Sequence, residues 1–153
     1  MAGLLLPMLA GLLLGGCDEP RGRAIQPADL YGTWAGENIE GLAFFIFQLD
    51  EGVHRFELRA APGAFIDVLD PGDDLLSIGG WYVIGSTLNL VDESTAVYAC
   101  SATDGDPYDV TLKQDKTIML LEYLGQKCPI RGDLLAGADW IKQEDSPEKT
   151  LWR

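Results

Sequence analysis

Short runs of β-branched and aromatic residues, each followed by a turn signal, divide the chain between residues 30 and 143. Two of the clearest runs are residues 42–49 and 53–59, which are separated by a tight acidic turn. In the second run, Phe56 and Leu58 alternate with charged residues, as in a strand that buries one face. This pattern restricts the chain to an all-β fold.

The second half of the chain predicts two tight hairpins. One turns at Gly85-Ser86, a Gly-X pair suited to a type II′ turn, and the other turns at Gln114-Asp115-Lys116. Further strands are predicted at residues 95–100 and 140–142, with one short helical turn between residues 128 and 136.

A total of about eight strands, with no long amphipathic helix, fits either a β-sandwich or a closed barrel. We predict a single antiparallel meander barrel, because consecutive hairpins place neighbouring strands side by side. Closure of the barrel also removes the exposed strand edges that promote aggregation.

Residues 1–16 are apolar and contain no charged side chain, whereas acidic and proline-containing sequence begins at Asp18. An apolar segment that ends in small residues before a cleavage site is typical of a secretory signal peptide. Leu14-Gly15-Gly16-Cys17 resembles the lipobox of bacterial lipoproteins, in which the cysteine is lipidated and becomes the first mature residue. A transmembrane helix needs about 20 apolar residues, more than this run supplies. A plain signal peptide and an uncleaved anchor are the alternatives.

This resemblance divides the chain into four segments. Residues 1–16 are the signal peptide, 17–29 the lipidated cysteine and a flexible tether, 30–143 the barrel domain, and 144–153 a polar tail. Removal of the first 16 of 153 residues leaves 137, which suits one domain with one core.

The net charge of −13 arises entirely after residue 16. An acidic surface repels phosphates, so nucleic acid is not an expected partner, and membrane attachment must come from the lipid on Cys17. The domain is therefore expected at the cell membrane, lipid-anchored and facing the periplasm or the exterior. Asp18 resembles the residue that retains some lipoproteins of Gram-negative bacteria in the inner membrane, which favours that membrane.

The chain has three cysteines, and an odd thiol is a liability in an oxidising compartment. If Cys17 is acylated, Cys100 and Cys128 remain as one pair, and export favours a disulfide between them. Two reduced buried thiols, or a metal held by them, are the less favoured alternatives.

No set of catalytic residues is recognisable. His54 is the only histidine, and we expect it to be an exposed strand residue and not a general base. One histidine without a spaced partner does not predict a zinc or copper site, and no cofactor is expected. The chain is therefore not expected to be an enzyme.

Two short motifs have structural explanations. Asp104, Asp106 and Asp109 form an acidic cluster that lacks the spacing of a calcium-binding EF-hand, so we expect a solvated hairpin loop. Arg131-Gly132-Asp133 spells an adhesion tripeptide, but three residues recur by chance.

At Tyr31-Gly32-Thr33-Trp34 the chain resembles the start of lipocalin-like (calycin-type) barrels, in which a G-x-W motif opens the first strand. The later sequence from Gly80 to Trp140 is similar to small exported bacterial barrels of this type. In that family the tryptophan packs across the closed end of the barrel, often beside an arginine. Arg131 is the nearest candidate for that arginine in chain order.

This resemblance implies binding of a small apolar ligand or lipid inside the barrel, without catalysis. The aromatic residues expected to line such a site are Trp34, Phe45, Phe47, Phe56, Trp81 and Tyr82. They could instead fill the core, because an eight-stranded barrel holds little more than its own side chains or one small ligand. The alternative function is a protein-binding module of the cell envelope, such as an inhibitor of proteases or lysozyme or an assembly partner, with a filled core.

Overall fold

The structure, a computed structural model, describes residues 23–38, 40–93, 96–100 and 105–144. Within them, eight antiparallel strands form a closed barrel in which each strand pairs with the next and the last pairs with the first. The strands are β1 (Gly32–Asn38), β2 (Gly41–Asp50), β3 (Val53–Ala60), β4 (Leu75–Ile84), β5 (Thr87–Asp92), β6 (Asp106–Lys113), β7 (Ile118–Tyr123) and β8 (Trp140–Lys142). The helices are α1 (Pro27–Leu30) and α2 (Pro129–Ala136). The predicted all-β meander barrel with a short helix near the C-terminus is confirmed.

Alternation along the strands sends one set of side chains into the barrel. In β3, Phe56 and Leu58 are buried while Arg55, Glu57 and Arg59 lie on the outer face, as the sequence predicts. The turn at Gly85-Ser86 places Gly85 at a φ of 63°, which a first-position glycine of a type II′ turn supplies without strain.

The meander gives the barrel two distinct ends, which we name by their helices. The α1 end contains the start of β1 and the β2–β3, β4–β5 and β6–β7 turns. The α2 end contains the longer connections after β3, β5 and β7, and the last of these includes α2. Because β8 is the eighth strand, it runs back towards the α1 end.

A β-bulge shapes the α2 end. The register between β3 and β4 shifts at Leu58/Arg59, where Ser77 lies opposite Leu58 and Leu75 opposite Arg59. The extra residue, Leu76, leaves both Leu76 and Ser77 buried. A bulge of this kind re-aims a side chain at a barrel rim, and here it brings the Ser77 hydroxyl to the mouth of the barrel.

Three predicted elements differ from the structure. Residues 96–100 of the predicted strand 95–100 form a turn, in which the Tyr98 N–H donates to the carbonyl of Leu76 at 2.9 Å, and Thr95 lies outside the described residues. β4 begins six residues before the predicted start at Trp81, because Ser77, Gly79 and Gly80 hide its alternation. The packed part of the chain begins before Leu30, since Ile25 is buried and donates its N–H to the carbonyl of Gly85.

The predicted signal peptide 1–16, Cys17, Asp18 and all but the first residue of the tail 144–153 lie outside the described residues. Among the residues that the structure does describe, no helix has the length and apolar character needed to cross a membrane.

Candidate functional site

The interior of the barrel is occupied by aromatic side chains in mutual contact. The ring centroids of Phe45 and Phe47 are 4.3 Å apart, and those of Phe47 and Trp81 are 5.3 Å apart. Phe45 also contacts Phe56 at 5.8 Å and Trp140 at 5.6 Å. Edge-to-face and tilted pairs at these distances are favourable beyond the area that they bury. Five of the six residues predicted to line a ligand site, Trp34, Phe45, Phe47, Phe56 and Trp81, are buried together in this core.

The sixth residue, Tyr82, does not face the interior. It follows the inward-facing Trp81 on β4, so its side chain lies on the outer face, where it is 38% exposed. The prediction that Tyr82 lines the barrel was therefore wrong, because neighbouring residues of a strand point to opposite faces.

A glycine provides room for the largest interior ring. Gly36 lies at an inward position of β1, and a Cβ atom there would be 2.7 Å from the indole of Trp140. The Trp140 indole donates to the carbonyl of Leu135 at 2.9 Å. This tryptophan therefore fills the space beside Gly36 and joins the interior to α2.

The α1 end is closed around Trp34. Its indole N–H donates to the carbonyl of Leu30 at 2.8 Å, and the side chains of both residues are fully buried. The Nζ of Lys142 lies 5.1 Å from the centre of the Trp34 ring, within the range of a cation–π interaction. The same Nζ donates to the carbonyl of Asp29 at 3.3 Å.

The cation expected over Trp34 was therefore assigned wrongly. Arg131 follows β7, which ends at the α2 end, whereas Trp34 lies near the α1 end. Lys142 takes this place because it ends β8, the strand that pairs with β1 at Trp34.

His54 is not the exposed strand residue that the sequence predicts. Its ring is half-buried, with its centre 4.5 Å from that of Trp81 and 5.8 Å from that of Tyr31. Its Nδ1 lies 3.2 Å from the Tyr31 hydroxyl. Through these contacts the ring packs against Tyr31 and Trp81 at the α1 end.

A shallow groove of about 340 Å³ lies beside α1, between residues 23–29 and the β6–β7 hairpin. Lys116 of this hairpin donates to Asp29 at 2.7 Å across the groove. Burial acts to raise the pKa of Asp29, but hydrogen bonds from Lys116 and the Gln26 backbone N–H, with the charges of Lys116 and Lys142, together lower that pKa. The groove thus presents paired charges of both signs, and the sequence did not predict it.

The α2 end is closed by a buried cluster of charges centred on Arg131. This side chain is 2% exposed and inserts from the first turn of α2 into the barrel mouth. One guanidinium nitrogen donates to Asp92 and, at 3.3 Å, to the hydroxyl of Ser77; the other donates to Asp106 at 2.7 Å. Tyr108 donates its hydroxyl proton to the same carboxylate of Asp106 at 2.9 Å.

Burial and neighbouring groups shift the pKa values of Tyr108 and Arg131. Loss of solvent and the adjacent Asp106 raise the pKa of Tyr108 far above its ordinary value, so the phenol stays a proton donor. Burial alone lowers the pKa of Arg131, but Tyr108, Asp92 and Asp106 together raise it above its ordinary value. Arg131 is therefore a fixed positive charge, held between two buried carboxylates.

The cluster revises two sequence interpretations. Asp106 is buried in β6, and Asp109 accepts a hydrogen bond from Ser86 at 2.7 Å, so neither belongs to a solvated acidic loop. Asp104 lies outside the described residues. In the adhesion tripeptide, Arg131 and Gly132 are buried, which makes the motif inaccessible and agrees with a chance occurrence.

The predicted disulfide between Cys100 and Cys128 is present, and it lies next to the Arg131 cluster. Their Cα atoms are 5.8 Å apart, a separation normal for disulfides. Within the described residues, the ligand atoms of Cys100, Cys128 and Asp106 form the one group that is close enough to hold a metal. Both sulfurs are bonded to each other, however, and Asp106 is engaged by Arg131, so this geometry serves cross-linking and not metal binding.

One signal in the sequence could have revealed the Arg131 cluster. The inward positions of β5 continue from Leu88 and Leu90 to Asp92, and those of β6 run back from Val110 and Tyr108 to Asp106. A carboxylate at an inward position of two adjacent strands demands a buried cation. The arginine that supplies it lies on a helix and follows no strand pattern, so only the three-dimensional structure identifies it.

Comparisons of this chain with protein-family models, with curated proteins and with solved structures found no match.

Proposed function

We propose that this protein is an exported, lipid-anchored and non-catalytic domain of the cell envelope that binds another protein through its outer surface. Its lipocalin-like barrel serves as a rigid, filled scaffold. The observation that carries this proposal is the occupation of the interior by the protein's own side chains, from Trp34 at one end to Arg131 at the other.

The contacts inside the barrel favour this function over a ligand cup. Phe45 contacts Phe47, Phe56 and Trp140 in the interior, where an apolar ligand would sit. Entry through the α2 end would require removal of Arg131 from two carboxylates, and a broken buried ion pair costs about 3–5 kcal/mol. A binding function at the outer surface requires neither displacement of the interior aromatic rings nor removal of Arg131 from its carboxylates.

Native mass spectrometry tests the filled barrel. The chain from Asp18 to Arg153, exported behind a conventional signal peptide, is expected to show the mass of the polypeptide alone. The same preparation incubated with palmitate and with mixed phospholipid micelles is expected to gain no stoichiometric adduct. A co-purified lipid that survives gas-phase activation would favour the small-ligand function and refute the filled scaffold.

The membrane anchor is tested at Cys17. Wild-type protein is expected to partition into the detergent phase after Triton X-114 extraction, and Cys17→Ala is expected to accumulate as an uncleaved precursor that lacks palmitate label. Ala10→Ser is the matched control: it changes the apolar segment but keeps Cys17, and it is expected to behave as wild type. Normal processing and labelling of Cys17→Ala would exclude the lipobox.

A further inference from the structure

The α2 end exposes large apolar side chains from all three of its long connections. Ile66 is 73% exposed in the connection after β3, and Ile130 is 72% exposed on α2. Val68, Val97 and Leu124 are further exposed apolar residues of these connections. Single exposed apolar residues are ordinary on protein surfaces, whereas several on one structured face are typical of a protein interaction site.

Contacts between the three connections hold them in place at the α2 end. Phe65, the neighbour of Ile66, is buried and packs edge-to-face on Tyr98 with ring centres 6.3 Å apart. The disulfide then ties Cys100, two residues after Tyr98, to Cys128 at the start of α2. The face is therefore pre-organised, which lowers the entropic cost of binding.

The same face is strongly acidic. The connection of residues 61–74 contains four aspartates and no lysine or arginine. Asp74 binds Arg59 at 2.7 Å. The other three aspartates of this connection, Asp67, Asp70 and Asp73, are exposed and make no ion pair among the described residues. On α2, the exposed Asp133 lies one turn after Ile130, so the helix repeats the pairing of an apolar side chain with a carboxylate.

We infer that the α2 end is the docking surface for a protein whose contact face is cationic with an apolar centre. This inference rests on the proposed function and names the face and the chemistry of the partner. Ile66 and Ile130 supply the desolvated contacts, and the surrounding aspartates steer association and select against acidic partners. The described N-terminal residues join β1 at the opposite end, so an anchor on Cys17 does not attach at the α2 end.

Photo-crosslinking in the intact, lipid-anchored protein tests the docking face. A diazirine amino acid is placed separately at Ile66, at Ile130 and at Ile84, which is similarly exposed but lies at the α1 end. In cells of the native bacterium, Ile66 and Ile130 are expected to cross-link to one and the same protein with a basic isoelectric point, and Ile84 is expected to give none.

A charge variant tests the role of the carboxylates. Asp67→Asn, Asp70→Asn and Asp73→Asn together are expected to lower the cross-linking yield by about tenfold, the size expected for lost electrostatic steering. The matched control removes three exposed charges at the α1 end through Asp50→Asn, Glu51→Gln and Asp115→Asn, and it is expected to retain the wild-type yield.

The outcomes separate the two proposals. Specific cross-linking from Ile84 alone would overturn the α2-end surface and leave a protein-binding function intact. An acidic partner, or a yield that the three aspartate substitutions leave unchanged, would overturn the cationic chemistry. Absence of any cross-linked protein from all three positions would contradict the protein-binding function itself.

Discussion

Replacement of Arg131 by methionine is expected to destabilise the domain by about 3–5 kcal/mol, the cost of breaking a buried ion pair. The variant keeps most of the side-chain volume but leaves the carboxylates of Asp92 and Asp106 buried without their cation. It also removes the donor to Ser77. Urea unfolding followed by tryptophan fluorescence measures the loss as a lower midpoint with an unchanged slope.

Two controls isolate the effect of burial. Arg55 also pairs with a carboxylate, Glu93 at 2.7 Å, but both side chains are partly exposed, so Arg55→Met is expected to cost less than about 1 kcal/mol. Combining Arg131→Met with Asp92→Asn and Asp106→Asn is expected to recover part of the loss, because no unpaired charge then remains buried. Equal midpoints for Arg131→Met and Arg55→Met would contradict the role assigned to the cluster.

The sequence predicted the parts of the fold that depend on local alternation. Phe56 and Leu58 identify one buried strand face, and the turn residues at Gly85-Ser86 fix a hairpin. Consecutive hairpins then lead to a closed barrel with little further information, because only neighbouring strands need to pair. The Cys100–Cys128 disulfide was predicted from the cysteine count, since one pair remains once Cys17 is set aside.

The closure of the two ends could not be predicted from local patterns. Lys142 and Arg131 each reach a partner more than 35 residues away in sequence, and nothing next to either residue specifies that partner. Counting strands would still have excluded Arg131 as the cation over Trp34. After seven strands the chain is at the α2 end, and only an eighth strand returns it to Trp34. Long-range pairing of this kind is set by topology and charge, and the alternation of apolar and polar residues along the sequence does not predict it.

The closure of both ends of the barrel disfavours a ligand site in its interior. A barrel that is open at one end admits a ligand, but here Leu30 and Trp34 lie at one end, and Arg131 lies at the other. Five of the six residues that a lipocalin-like ligand site was expected to use belong to the core of the domain. In the function proposed above, recognition uses the connections at the α2 end, whose positions depend on the disulfide and on α2.

Removal of the disulfide is therefore expected to have the second large effect. Cys100→Ser with Cys128→Ser is expected to lower the free energy of unfolding by about 3.5 kcal/mol, from the entropy of the loop that the bond closes across 28 positions. Urea unfolding of the double variant against wild type measures the loss. Thiol labelling of denatured, exported wild-type protein is the control, and it is expected to detect no free thiol at either position.

The disulfide and the Arg131 cluster are also expected to be coupled. Arg131 lies three residues after Cys128, at the start of α2, so loss of the cross-link loosens the helix that inserts the guanidinium between Asp92 and Asp106. Arg131→Met introduced into the disulfide-free protein is expected to cost at least about 1 kcal/mol less than in wild type, since part of the ion-pair energy is already lost. A double-mutant cycle by urea unfolding measures this difference. Strict additivity would show that the helix holds Arg131 in place without its cross-link. The disulfide would then play no part in keeping the α2 end closed.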